Sequence, residues 1–194
     1  MNMSDPLATD VLRFWFGEGP PYAPRTQWFE KNDAFDREIG ERFGPLIEQA
    51  LQGRLAAWAS EPETALAQIV VLDQFPRNVF RGTPRAFAGD AQALAAAQAM
   101  VAAGHDRQLA PVQRVFVYLP FEHAETMEAQ ETSMQLFARL AEEAPDSGAG
   151  WLDYARRHHE IVARFGRFPH RNPILGRAST PEEAEFLTQP GSGF

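Results

Sequence analysis

A chain of 194 residues with 44% hydrophobic and 23% charged side chains can bury a full core and is too apolar to remain disordered. Its formal net charge of −8 argues against general affinity for nucleic acid or anionic membrane, because such binding rests on a face of excess Lys and Arg. The absence of cysteine excludes disulfides, zinc–cysteine sites and thiol nucleophiles, leaving histidine and carboxylates as the available metal ligands.

The N-terminal stretch MNMSDPLATDVLRFWF has no basic region followed by an apolar run, and no later segment is apolar for a spanning length, so a cytoplasmic protein with no membrane partner is expected. Ser4, Asp5 and Pro6 predict a helix start before Leu7, Val11, Leu12 and Trp15, closed by the loop 17–24. Asp33 is placed to cap a second helix whose apolar residues Phe35, Ile39, Phe43, Leu46 and Ile47 recur at steps of three and four up to Gly53. Ser60 with Glu63 has capping-box spacing before ALAQIVVLDQ, and Thr83-Pro84 opens an alanine-rich run that stops at Gly104. A short helix is predicted over 112–119, ended by Pro120, then longer ones over 124–143 and 150–165. A last helix begins at Thr180, where Thr-Pro-Glu-Glu supplies cap, first-turn proline and carboxylates. No segment shows sustained two-residue alternation with hairpin turns, so the expected fold is all-α, about seven or eight helices in one domain over residues 4–188 with a tail at 189–194.

Polar residues concentrate unevenly along this frame. Residues 156–177, RRHHEIVARFGRFPHRNPILGR, hold six arginines and three of the five histidines of an acidic protein. Grouped cations repel unless carbonyls, carboxylates or an anion take up their donors, so the segment marks a dense hydrogen-bond network or a ligand site. His158 falls on the apolar stripe Trp151, Ala155, Val162 and Phe165, while Arg164, Arg167, His170 and Arg171 flank a turn at Gly166 at the end of that helix. Phe75-Pro76-Arg77-Asn78 is echoed by Phe168-Pro169-His170-Arg171-Asn172. Both copies read first as helix-closing loops, and the functional alternative has Arg77, Asn78, Arg171 and Asn172 presented to one ligand. Asp73 shares a helical stripe with Leu66 and Val70, which buries it and demands a partner, either Arg77 or an arginine of the 156–177 segment. Glu122, His123 and Glu125 cluster after Pro120, where the carboxylates suit the start of the 124–143 helix and His123 suits a base or ligand role. No HExxH or comparable spacing occurs, and the surrounding arginines would repel a cation, so no metal and no cofactor is expected.

The motifs FWFG at 14–17, LDQFPRN at 72–78, RGTPRAF at 81–87, LPFEHAE at 119–125 and RFGRFPHRNPILGR at 164–177 resemble the bacterial family called domain of unknown function 924, from about Asp10 to Leu187. The resemblance implies an all-helical fold grouped with tetratricopeptide-like helical hairpins and implies no activity. The 34-residue tetratricopeptide period with its Trp, Gly and Tyr pattern is absent, so peptide binding in a concave groove does not carry over. Its motif positions Asp73, Gln74, Arg77, Asn78, Arg81, Arg114, Glu122, His123, Glu125, His158, Arg164, Arg167, His170, Arg171 and Asn172 coincide with the polar residues singled out above. The leading expectation is a pocket for a small phosphate- or carboxylate-bearing molecule, formed by Asp73, Arg77, Asn78, Arg164, Arg167, His170, Arg171 and Asn172. A hydrolase with His123 or His158 as general base beside Glu122 or Glu125, and a helical scaffold with a structural polar network, are the two alternatives.

Overall fold

The computed structural model describes residues 5–193, apart from the side chain of Ser147; Ser4, expected at the first helix start, lies outside that range. The described residues are helical with no strand, and no helix among them is long and apolar enough to cross a membrane. The chain forms two compact units, one of Met1–Arg81 with Arg85–Pro120 and one of Gly82–Pro84 with Phe121–Phe194.

The first unit begins with α1 (Pro6–Phe16), where the Asp5 carboxylate accepts from the amides of Leu7 and Ala8 and Pro6 takes the first turn. Three consecutive aromatics close this helix. Spaced about 100° apart on the helix, they spread over a shared aromatic cluster: Phe14 stacks on Phe35 at 5.1 Å, while Trp15 and Phe16 meet Phe116 edge-on at 5.6 and 5.3 Å. Trp28 Nε1 and Arg25 Nη1 each donate at 2.9 Å to the Trp15 carbonyl, satisfying an acceptor that the end of α1 would leave open. Helix α2 (Asp33–Leu51) is capped by Asn32 rather than Asp33 and buries the apolar stripe read from its spacing.

Helix α3 (Pro62–Ile69) runs through a π turn, Val70–Gln74, into α4 (Phe75–Val79). The expected capping box at Ser60 and Glu63 is absent, since the Ser60 hydroxyl donates to the Ala57 carbonyl instead. Ile69 through Phe75 are buried on every side, so Asp73 is enclosed by burial all round rather than by one apolar stripe. Pro76 does not end this rod. It sits in the first turn of α4, directly after the widened turn, where its missing N–H costs least. The alanine-rich run is likewise interrupted: a 3-10 turn at Pro84–Phe87 precedes α5 (Asp90–Ala102), with Gly89 between them. Helix α6 (Pro111–His123) continues through Pro120, and the boundary between the two units falls inside it.

The second unit contains α7 (Met127–Glu143), α8 (Pro145–Phe165), α9 (Asn172–Leu175) and α10 (Pro181–Phe186). Ile161, Val162 and Phe168 form an apolar cluster joined by Met127, Phe165 and Phe186. Gly166 ends α8 at φ +70°, a left-handed conformation that a side chain would strain, and this turn sends the chain back across the helix end.

Candidate functional site

Local structure places the polar residues in two groups, one per unit. In the first, Asp73 is 0% exposed and Arg77 reaches back one turn to it, with Nη1 3.2 Å from Oδ1 and 2.9 Å from the Asp73 carbonyl. The same guanidinium forms a fork on Asp90 at 2.7 and 3.0 Å, and the Gln74 amide donates to Asp73 Oδ2. Burial opposes the charge on Arg77, but Asp73 and Asp90 outweigh it and hold the guanidinium above its ordinary pKa. Asn78 Nδ2 donates to Asp36 at 2.7 Å, and Arg81 takes the same carboxylate at 3.1 Å. Arg77 and Asn78 are thus held by carboxylates of α2 and α5, which spacing within the motif gives no means of finding.

In the second unit the arginines meet more carboxylates than their neighbourhood in sequence offers. Glu183, expected as a capping residue, is the centre of one network. It accepts from Arg167 Nε and Nη2 at 2.6 and 2.8 Å, from Asn172 Nδ2 at 3.2 Å and from the Thr180 amide at 2.7 Å, completing the capping box with the Thr180 hydroxyl. Glu125 is the centre of another, accepting from Arg177 at 2.6 and 2.9 Å and from the Phe168 amide at 2.8 Å. Arg164 pairs with Glu182 at 2.9 Å in an exposed position. These bonds clasp the segment after α8 onto the loop between α6 and α7 and onto α10.

The hydrogen bond from Arg167 is the main cause that lowers the Glu183 carboxyl to about 2. A depressed carboxylate adds stability that is complete above the ordinary glutamate value of about 4.5 and fades as pH falls towards 2. Thermal melts between neutral and strongly acid pH should therefore show the wild type losing more stability than Glu183→Gln over that window. Parallel curves would remove Glu183 from the acid response.

Two histidines and one arginine pack on Phe168, which is 0% exposed. His158 meets its ring edge-on at 5.5 Å, His170 lies tilted at 5.7 Å, and the Arg171 guanidinium sits over it at 4.6 Å. His123 is 6.3 Å from His158. Glu122 and His123 close α6 instead of opening α7, whose cap is Thr126, so Glu122 stands at a helix C-terminus rather than at the expected N-terminus. Glu122 instead faces His158, with Oε1 3.2 Å from Nδ1, and Nδ1 also lies 2.9 Å from the Tyr154 carbonyl. A carbonyl can only accept, so Nδ1 carries the hydrogen and Nε2 of the neutral ring is an acceptor. Burial first, and then the proximity of His123, Arg171 and His170, lower His158 to about 3; burial and Arg171 lower His170 to about 4. One residue unmarked by the sequence reading is Gln130, 0% exposed, whose amide donates to the carbonyls of Glu122 and Ala124 at 2.7 and 2.8 Å and so secures the end of α6. Its position on the buried face of α7 was the available signal.

Among the described residues no three His, Asp or Glu side chains converge as a metal-ligand set. A groove in the first unit, lined by residues including Thr9, Leu12, Arg13, Glu18, Tyr22 and Thr64, contains none of the residues selected from sequence.

The family described as "Bacterial protein of unknown function (DUF924)" matches residues 11–191. The chain belongs to the DUF924 family. A solved structure, "Structure of Protein of Unknown Function ATU0120 from Agrobacterium tumefaciens", is 42% identical, covering 93% of this chain and 96% of that one, with a TM-score of 0.84. No curated protein matches this DUF924 chain.

Proposed function

We propose that this DUF924 protein binds a small anion, phosphate- or carboxylate-bearing, at the second-unit cluster of Arg171, His170, His158 and His123. The observation that carries this reading is the packing of a nearly buried guanidinium and two imidazoles on the single ring of Phe168, with the third imidazole next to one of them. Such a grouping sets the fixed charge of a guanidinium beside imidazoles that become further N–H donors once protonated, the side-chain chemistry that holds an oxyanion. Arg77, Arg164 and Arg167, together with Asp73, Asn78 and Asn172, take a structural part through the carboxylates described above.

A ligand at about a hundred times its dissociation constant raises folding stability by about 2.7 kcal/mol. A thermal-shift screen of phosphate, sulfate, oxalate, sugar phosphates, nucleotides and dicarboxylates should therefore give at least one clear upward shift, absent in Arg171→Gln when circular dichroism shows that variant folded. A panel without any stabilising anion would leave the cluster as a structural network, the scaffold reading.

One contact favours hydrolysis as a second reading: Glu122 faces Nδ1 of His158, the arrangement that orients an imidazole whose Nε2 accepts a proton from water. Arg171 would then stabilise developing negative charge. Slow release of p-nitrophenol from its phosphate or acetate ester, lost in His158→Asn, would support hydrolysis; equal rates for the two proteins would count against it.

A further inference from the structure

Two imidazoles of this cluster, those of His158 and His170, differ from ordinary anion-binding side chains in one respect: burial and the nearby positive charge of Arg171 favour their neutral form. His158 is 4% exposed. From its own helix it meets the Tyr154 carbonyl, from α6 the Glu122 carboxylate at 3.2 Å and the His123 ring, and from the segment after α8 the charge of Arg171 and the ring of His170. His170 is partly buried between Phe168 and Gly193, with Arg171, Arg177 and His123 on the cationic side and Glu125 as the facing carboxylate. Both oxygens of Glu125 are engaged by Arg177, one of them also by the Phe168 amide.

We infer that anion capture at this cluster is coupled to proton uptake by His158 and His170, so that the site binds small anions more tightly as pH falls below neutrality. The inference rests on the anion-site reading above and adds the regulation of that site. Its physical basis is reciprocity. Arg171 and the neighbouring rings make a second positive charge costly, and an anion placed among them cancels that cost, so each imidazole becomes easier to protonate once the anion is bound. The balanced event takes one anion from solution and one proton per responding imidazole from the buffer, with no covalent change. The free rings, at about 3 for His158 and about 4 for His170, stay uncharged down to mildly acid pH. Between those values and the raised values of the complex, the association constant grows about tenfold per pH unit for each proton taken up.

The test is isothermal titration calorimetry of the full chain with sulfate and with oxalate, anions that do not themselves titrate across the range used. Titrations at about pH 6 and about pH 7.5, each in two buffers of different ionisation enthalpy, count the protons taken up on binding. The expected result is a net uptake of about one proton at the lower pH and an affinity about tenfold higher per pH unit there, with both reduced in His158→Gln and in His170→Gln. Should His158→Gln fail to fold, His170→Gln, at a partly exposed position, decides the matter alone. Binding of either anion without proton uptake, or uptake unchanged in the folded histidine variants, overturns the coupling and leaves the anion site standing. Failure of both anions to bind overturns the coupling and the site together.

Discussion

Arg77→Ala is expected to lower the stability of the protein by about 3–5 kcal/mol, measured as a fall in the denaturant midpoint with an unchanged slope. The guanidinium is the shared partner of Asp73, which is 0% exposed, and of Asp90, and it also donates to the Asp73 carbonyl. Removing it leaves a buried carboxylate facing a hole where its cation stood, and that desolvation cost, rather than the loss of attraction, sets the size of the effect. The Arg85–Glu48 pair provides the contrast. Both its side chains are about half exposed, and such pairs contribute about 0–1 kcal/mol, so Arg85→Ala should be close to neutral. A loss below about 1 kcal/mol in Arg77→Ala would place this pair in the surface class and remove the account of how the π turn tolerates a buried aspartate.

The second large effect is expected at Gly89. A Cβ there would lie 2.1 Å from the Leu72 carbonyl oxygen, backbone against backbone, with no flexible side chain to give way. Leu72 belongs to the π turn, and its carbonyl is the one that the proline four residues on, Pro76, cannot serve in α-helical register. Gly89→Ala must push α5 away from this turn and should cost about 3 kcal/mol or more. The same substitution at Gly44, inside α2 with nothing within 4 Å of its added Cβ, should instead stabilise by about 0.5–1 kcal/mol. Opposite signs for one chemical change would locate the constraint in the close approach; a mild effect at Gly89 would show that α5 is free to shift. The close approach also explains why the alanine-rich run is a 3-10 turn followed by a helix rather than the continuous helix predicted from Thr83.

Much of the helical layout was legible because its signals are local. Asp5 with Pro6, the left-handed glycines Gly53, Gly104 and Gly166, and the Thr180–Glu183 box each act within about one turn of chain, so residue identity suffices to place a helix end. The all-helical class followed from apolar spacing for the same reason. Pro76 and Pro120 show where local rules give out. A π turn precedes the first, and the turn after the second is held by Gln130 from α7, so neither proline ends its helix where its own ring would suggest. Arg77 and the arginine-rich segment were recognisable as polar and crowded, yet the distant carboxylates that meet them were not. Arg77 finds Asp90 over a separation of 13 residues, Arg167 finds Glu183 over 16, and Arg177 finds Glu125 over 52. Likewise, the capping role of Glu183 could be read from four residues, whereas its bonds to Arg167 and Asn172 depend on the path of the chain through Gly166 and Gly176. Composition and periodicity determine which side chains must leave water and where helices begin and end. Which carboxylate meets which guanidinium, and which histidine faces Glu122, only the tertiary structure decides, because a charge pair depends on distance in space and the chain reaches that distance through turns whose combined direction no single stretch of residues encodes.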